Sequence, residues 1–153
     1  MQECLINAHE ELKRVDHLIY VSLKYTRTID VIKNIVERFI SSYDCFMLAL
    51  LTKLKNDGKI DEIPESPIEK ANLVREKYPD PIVSENIDIY LLYRKIIKAK
   101  SVSSQEYRRH VTMTATLPDG TTIDVDIDKI YEYYKKAKEF FEYIKKLSSD
   151  IND

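Results

Sequence analysis

Apolar residues in the first third of the chain recur at alternating three- and four-residue steps. Leu5, Ala8, Leu12, Val15 and Ile19 make one stripe; Ile29, Ile32, Val36, Phe39, Tyr43, Phe46, Leu50 and Leu54 make a second. Such spacing puts each set on one face of an α-helix. No Gly or Pro occurs between Met1 and Asp57, which favours uninterrupted helix. One rod through both stripes would be about 85 Å long at about 1.5 Å per residue. A compact domain of this length has a radius of gyration of about 15 Å, so the chain must turn back. Tyr25-Thr26-Arg27-Thr28 is the expected bend, with clustered β-branched threonines and Thr28 placed to cap the next helix. The pattern predicts an antiparallel helical hairpin, ended by Asn56-Asp57-Gly58 as C-cap.

Beyond a loop from Lys59 to Glu65, Ser66-Pro67-Ile68-Glu69 predicts a helix start: Ser at the N-cap, Pro in the first turn and Glu closing a capping box. Pro79 and Pro81 should stop that helix near Lys77. A fourth helix is expected from about Ser84 to Lys100, with Ile87, Tyr90, Leu91 and Ile97 inward. The period then changes to two. Tyr107 to Leu117 and Ile123 to Ile127 alternate as strands around Pro118-Asp119-Gly120, a three-residue hairpin loop with Gly in the left-handed position. That loop length pairs Ala115 with Ile123, Met113 with Val125 and Val111 with Ile127. A last helix is expected from Asp128, its N-cap, with Ile130, Tyr133, Ala137, Phe140, Ile144 and Leu147 on one face. The fold class is mainly α: an antiparallel bundle of about five helices with one β-hairpin before the last. It is read as a single domain over 1–153, with a four-helix core at 1–100, the hairpin at 105–128 and the C-terminal helix at 128–148.

Composition narrows the chemistry. With 153 residues, 44% hydrophobic and 33% charged, the chain can bury a core without metals or disulfides. A net charge of −2 leaves no overall basic field for nucleic acid, so any basic site must be local. Two cysteines, Cys4 and Cys45, form no CxxC pair, which fits a reducing compartment. Glu3, Glu10 and Glu11 are unlike a signal peptide, and the apolar run Cys45 to Leu51 is too short to span a bilayer. A cytoplasmic, non-membrane protein is expected, and the Lys, Glu, Ile and Tyr bias leans towards a thermophile.

His9-Glu10-Glu11-Leu12-Lys13 opens like HExxH, but Lys13 replaces the second histidine, and His17 lies about 12 Å further along a helix. Asp124, Asp126 and Asp128 lack the Gly and Glu of a calcium loop and sit about 6.6 Å apart on a strand. No metal and no cofactor is expected, and two glycines cannot build a phosphate-cradling loop. The suggestive triplet is Arg108-Arg109-His110. Arginine grips phosphate bidentately and histidine moves a proton near neutral pH. On a strand, Arg108 and His110 would share a face, with Asp128 opposite His110. Lys24, Tyr25 and Arg27 add a basic, aromatic cluster at the first bend, where RNA stacking competes with the plainer reading of a solvated helix end. On the last helix, Tyr131, Tyr134, Phe141 and Tyr143 exceed one core stripe and are candidates for a partner surface.

Glu10-Glu11-Leu12-Lys13-Arg14-Val15-Asp16-His17-Leu18, the long helix ending in Phe46-Met47-Leu48-Ala49-Leu50-Leu51, and two shorter helices after it resemble the HEPN family over residues 3 to 100. The resemblance implies a small helical bundle, homodimerisation, a nucleotidyltransferase as possible partner and, in active members, metal-independent RNA cleavage through Arg-x4–6-His. That motif is absent: His17 follows Arg14 too closely, as His110 follows Arg108 and Arg109. The resemblance therefore implies a non-catalytic member, or one whose Arg and His meet only through the fold. The expected function is a protein-interaction or assembly module, homodimeric. The alternative is an RNA-binding or RNA-cleaving protein using Arg108, Arg109 and His110.

Overall fold

A computed structural model describes residues 2–150. Among them are five principal helices and one three-stranded antiparallel sheet. Helix α1 (Gln2–His17) continues through a π-helical turn, Leu18–Ser22, and one more helical turn, Leu23–Tyr25. Helix α2 (Ile29–Asn56) runs back beside it as the hairpin predicts. Thr28 is the N-cap of α2: its Oγ1 accepts from Val31 N–H at 3.4 Å. The other end is a left-handed cap at Gly58, φ 73°, with Gly58 N–H donating to Lys55 O and Lys59 N–H to Leu54 O.

The next two helices start on proline. Ser66 Oγ accepts from Glu69 N–H at the head of α3 (Pro67–Lys77), the serine half of the expected capping box. Helix α4 (Pro81–Lys98) begins earlier than Ser84 because Asp80 is its N-cap, accepting from Ile82 N–H at 3.1 Å. Pro81 thus opens a helix, where its missing N–H is no loss. On α4, Val83, Ile87, Tyr90, Tyr93 and Ile96 are buried, while Leu91 and Ile97 are half-buried at its flank.

The β region differs from a two-stranded hairpin. Strand β1 (Lys100–Ser104) pairs with β2 (Thr112–Thr116), and β2 with β3 (Thr122–Val125), giving the order β1-β2-β3. Met113 opposite Val125 and Ala115 opposite Ile123 match the expected register, and Thr114 Oγ1 donates to Asp124 Oδ1 at 2.7 Å. The three-residue loop holds, with Gly120 at φ 90° and Leu117 N–H donating to Thr121 O. Val111 and Ile127 do not extend the ladder. Ile127 already belongs to α5 (Ile127–Asp150), because Asp126, rather than Asp128, caps that helix: its Oδ1 accepts from Lys129 N–H at 2.8 Å. The strand also begins only at Thr112, so Arg108, Arg109 and His110 lie in a turn and not on a sheet face.

The core is one cluster wrapped round α2. Both apolar stripes are inside it, only Ile29 at the head of the second being half-buried. Its centre is aromatic: Phe39 stacks on Tyr93 at 5.4 Å, Tyr43 meets Phe46 edge-on at 5.2 Å, and Tyr93 meets Tyr133 at 5.1 Å. Tyr43 OH donates to Asn86 Oδ1 at 2.7 Å, and Asn86 Nδ2 donates to Ile82 O. Tyr90 OH donates to Asp44 Oδ1 at 2.6 Å. Tyr93 OH, equally buried, has no partner among the described residues. No helix among them is long and apolar enough to cross a membrane.

Candidate functional site

A cleft of about 600 Å³ opens where the end of the first helical arm meets the start of α5. Three pieces of chain wall it. The π turn contributes Ile19 and Tyr20, the helical turn after it Leu23 and Lys24, and the bend Arg27. The link between β1 and β2 contributes Arg109 and His110, and the head of α5 contributes Asp126, Ile127, Asp128 and Tyr131. Leu23 N–H donates to Leu18 O, the wider ring that defines the π turn. Such turns add a residue to the helical circuit and often occur at functional sites.

The triplet is thus split by the fold. Arg109 and His110 line the cleft; Arg108 does not, and its N–H is used on Gln105 O. Arg108 and His110 therefore share no sheet face. The ladder stops short of His110 and Asp128, so Asp128 does not stand opposite His110 on a strand; it lines the same cleft from a helical first turn. Of the bend cluster, Lys24 and Arg27 line the cleft, whereas Tyr25 lies outside it and is 77% exposed. Tyr20 and Tyr131 were not singled out as cleft residues by sequence. Their rings meet at 5.7 Å and 45°, an aromatic shelf at the mouth.

The electrostatics are lopsided. Lys24, Arg27 and Arg109 face two carboxylates, one of which, Asp126, is already engaged by the Lys129 amide. Among the described residues none of the three cations is in an ion pair. Arg27 Nε is buried with no hydrogen-bond partner among them. His110 and Arg109 are exposed. A concave surface with clustered cations raises the local concentration of anions.

The other candidates are elsewhere. His9 is exposed and stacks on Phe141 at 6.0 Å, and His17 is exposed on α1. Phe141 is only 8% exposed and packs on Phe46, so it belongs to the core rim rather than to a free face. Tyr134 OH donates to Asp16 at 3.1 Å, and its phenol is pushed up to about 12 by burial and by that bond. Tyr143 is half-buried, its phenol raised by burial and then by Asp80. Tyr131 alone of the four is exposed. Cys45 is half-buried on α2 and its thiol is pushed up to about 11, chiefly by burial; a protonated thiol is a poor nucleophile. Among the described residues no three His, Cys, Asp or Glu side chains are grouped as a metal ion needs. Comparison with family models, characterised proteins and solved structures finds no match to this chain, so the cleft is read from its own residues.

Proposed function

We propose that this protein binds single-stranded RNA in the cleft and cuts it there, with His110 moving the proton. The observation that carries this reading is the meeting of Arg109 and His110 with Lys24 and Arg27, more than eighty residues away in sequence, in one concave wall. Three cations suit consecutive backbone phosphates, and the Tyr20–Tyr131 shelf offers a face for an unpaired base. In the cutting step the neutral imidazole of His110 takes the proton of a 2′-hydroxyl. The 2′-oxygen attacks the adjacent phosphorus and the P–O5′ bond breaks. A 2′,3′-cyclic phosphate and a 5′-hydroxyl result, the leaving oxygen being protonated by solvent. Arg109 and Arg27 stabilise the charge on the phosphoryl oxygens. Arg and His meeting through tertiary structure is also the form in which the HEPN resemblance retains activity.

Interaction through the outer face of the last helix, as a homodimer or with a nucleotidyltransferase, has thinner support. Phe141 is inside, Tyr134 is engaged by Asp16, and Tyr131 already belongs to the cleft.

The test is incubation with end-labelled single-stranded RNA in chelator. Wild type should cut it, His110→Ala should bind without cutting, and Arg109→Ala should bind about tenfold more weakly. With three phosphates neutralised on a single strand, log affinity should fall against log salt with a slope of about −2. No binding even at low salt would remove RNA from consideration and return the protein-interaction reading to first place.

A further inference from the structure

We infer that Glu106 is a positioning residue for this cleft, an inference that rests on the RNA reading for its functional meaning. It stands in the link between β1 and β2, outside the cleft wall, yet its carboxylate reaches the head of α2. Ile29 N–H donates to Glu106 Oε1 at 3.2 Å, across 77 residues of sequence. Beside it, Tyr107 N–H donates to Arg27 O at 2.6 Å. These two bonds clip one link to one helix start, and the carbonyl that Tyr107 N–H takes is that of a cleft arginine.

The backbone on either side of Glu106 is held in an unfavourable form. Gln105 has φ 55° and Tyr107 φ 63°, the left-handed region that residues with a Cβ seldom occupy. Neither is rewarded by packing: both side chains are exposed, Tyr107 at 75%. Two such residues in three positions persist only where something else determines the conformation, and the two bonds to the α2 head tie the link to a distant part of the chain. From that clip the chain runs through a tight turn, with Arg108 N–H on Gln105 O and Val111 N–H on Arg108 O, each at 3.1 Å. The turn delivers Arg109 and His110 into the cleft. Glu106 thereby sets both sides of the wall, Arg27 through the helix head and Arg109 with His110 through the turn.

A second cap on the same helix end provides the control. Thr28 Oγ1 accepts from Val31 N–H locally, and Thr28 does not line the cleft. Glu106→Ala, Glu106→Gln and Thr28→Ala would be compared at a temperature where all are folded by circular dichroism. The readouts are RNA affinity, the His110 ring resonances and the exchange rate of the Tyr107 amide. Glu106→Ala is expected to weaken binding about tenfold and to shift the His110 resonances, and Glu106→Gln, which keeps an acceptor, to recover most of both. Thr28→Ala is expected to lower the melting temperature while leaving affinity and His110 unchanged. Wild-type affinity in folded Glu106→Ala, or an equal loss in Thr28→Ala, would overturn the inference. Should wild type bind no RNA, the cleft reading fails by itself; the His110 resonances and Tyr107 exchange then still decide Glu106, and no change in either would overturn it.

Discussion

Around Tyr43, in the middle of the bundle, three tyrosine hydroxyls are each tied to a fixed partner: Tyr43 to Asn86, Tyr90 to Asp44, and the half-buried Tyr78 to Leu50 O at 3.1 Å. At the cleft end the reverse holds. Lys24, Arg27 and Arg109 come together with few partners, and Tyr20 and Tyr131 stay 51% and 41% exposed. Matched polar groups in an aromatic core give rigidity and a unique packing. Unmatched cations gathered in a hollow give nothing to stability and repel one another unless something anionic arrives. The difference separates the part of the sequence spent on folding from the part left for a ligand.

Substitutions can break this contrast at several strengths. Phe46→Ala empties space beside Tyr43, Phe140 and Phe141 and should cost about 3–5 kcal/mol in urea unfolding. Tyr43→Phe strands Asn86 Oδ1 and should cost about 1–3 kcal/mol. Tyr93→Phe removes a buried hydroxyl that has no partner; it should be neutral or slightly stabilising, and a loss as large as that of Tyr43→Phe would mean that the Tyr93 hydroxyl is matched after all.

Alkaline titration probes the same centre. Burial raises the phenols of Tyr43 and Tyr90 and takes Tyr78 up to about 12, against an ordinary value of 10.0. The unfolded chain therefore releases these protons first, so their contribution is intact below pH 10 and is lost as pH rises through the folded values. Urea midpoints should begin to fall near pH 10, and Tyr78→Phe should soften the fall up to about pH 12. The smallest effect on folding belongs to the cleft. Lys24→Ala and Arg109→Ala should change stability by less than about 0.5 kcal/mol while each reduces the salt slope of RNA binding by about 0.7.

What could be read along the chain was written within a few residues. Thr28 before an apolar stripe, Ser66-Pro67 with Glu69, and Pro118-Asp119-Gly120 each carry their own capping or turn chemistry, and the structure has them where expected. Strand β1 carried no such signal. Lys100-Ser101-Val102-Ser103-Ser104 sits at a sheet edge, mostly exposed, so it needs no apolar alternation and is held by its ladder with β2. Asp126 and Asp128 both precede the last apolar run, and where β3 ends decides which one caps. Of the cleft, Arg109, His110, Lys24 and Arg27 stood out by residue type, but their juxtaposition depends on the bend and on the link clipped to it. Tyr20 could not be picked out, because it lies off the stripe of its helix and only the π turn gives it a place.

That π turn also changes what a deletion would do. Removing one residue from a helix ordinarily rotates everything beyond it by about 100° and scrambles the buried face. Between Leu18 and Ser22 the helix already holds a surplus residue. Without Val21, which is exposed and outside the cleft wall, Ile19 and Leu23 would stand three apart, still a helical spacing, and the turn would close as ordinary α-helix. The core would survive with its apolar face aligned and Lys24 would keep its place behind Leu23, while Tyr20, inside the closed turn, would lose its position against Tyr131. A length variant of this one turn is thus a way for such a chain to lose its aromatic shelf and keep its fold.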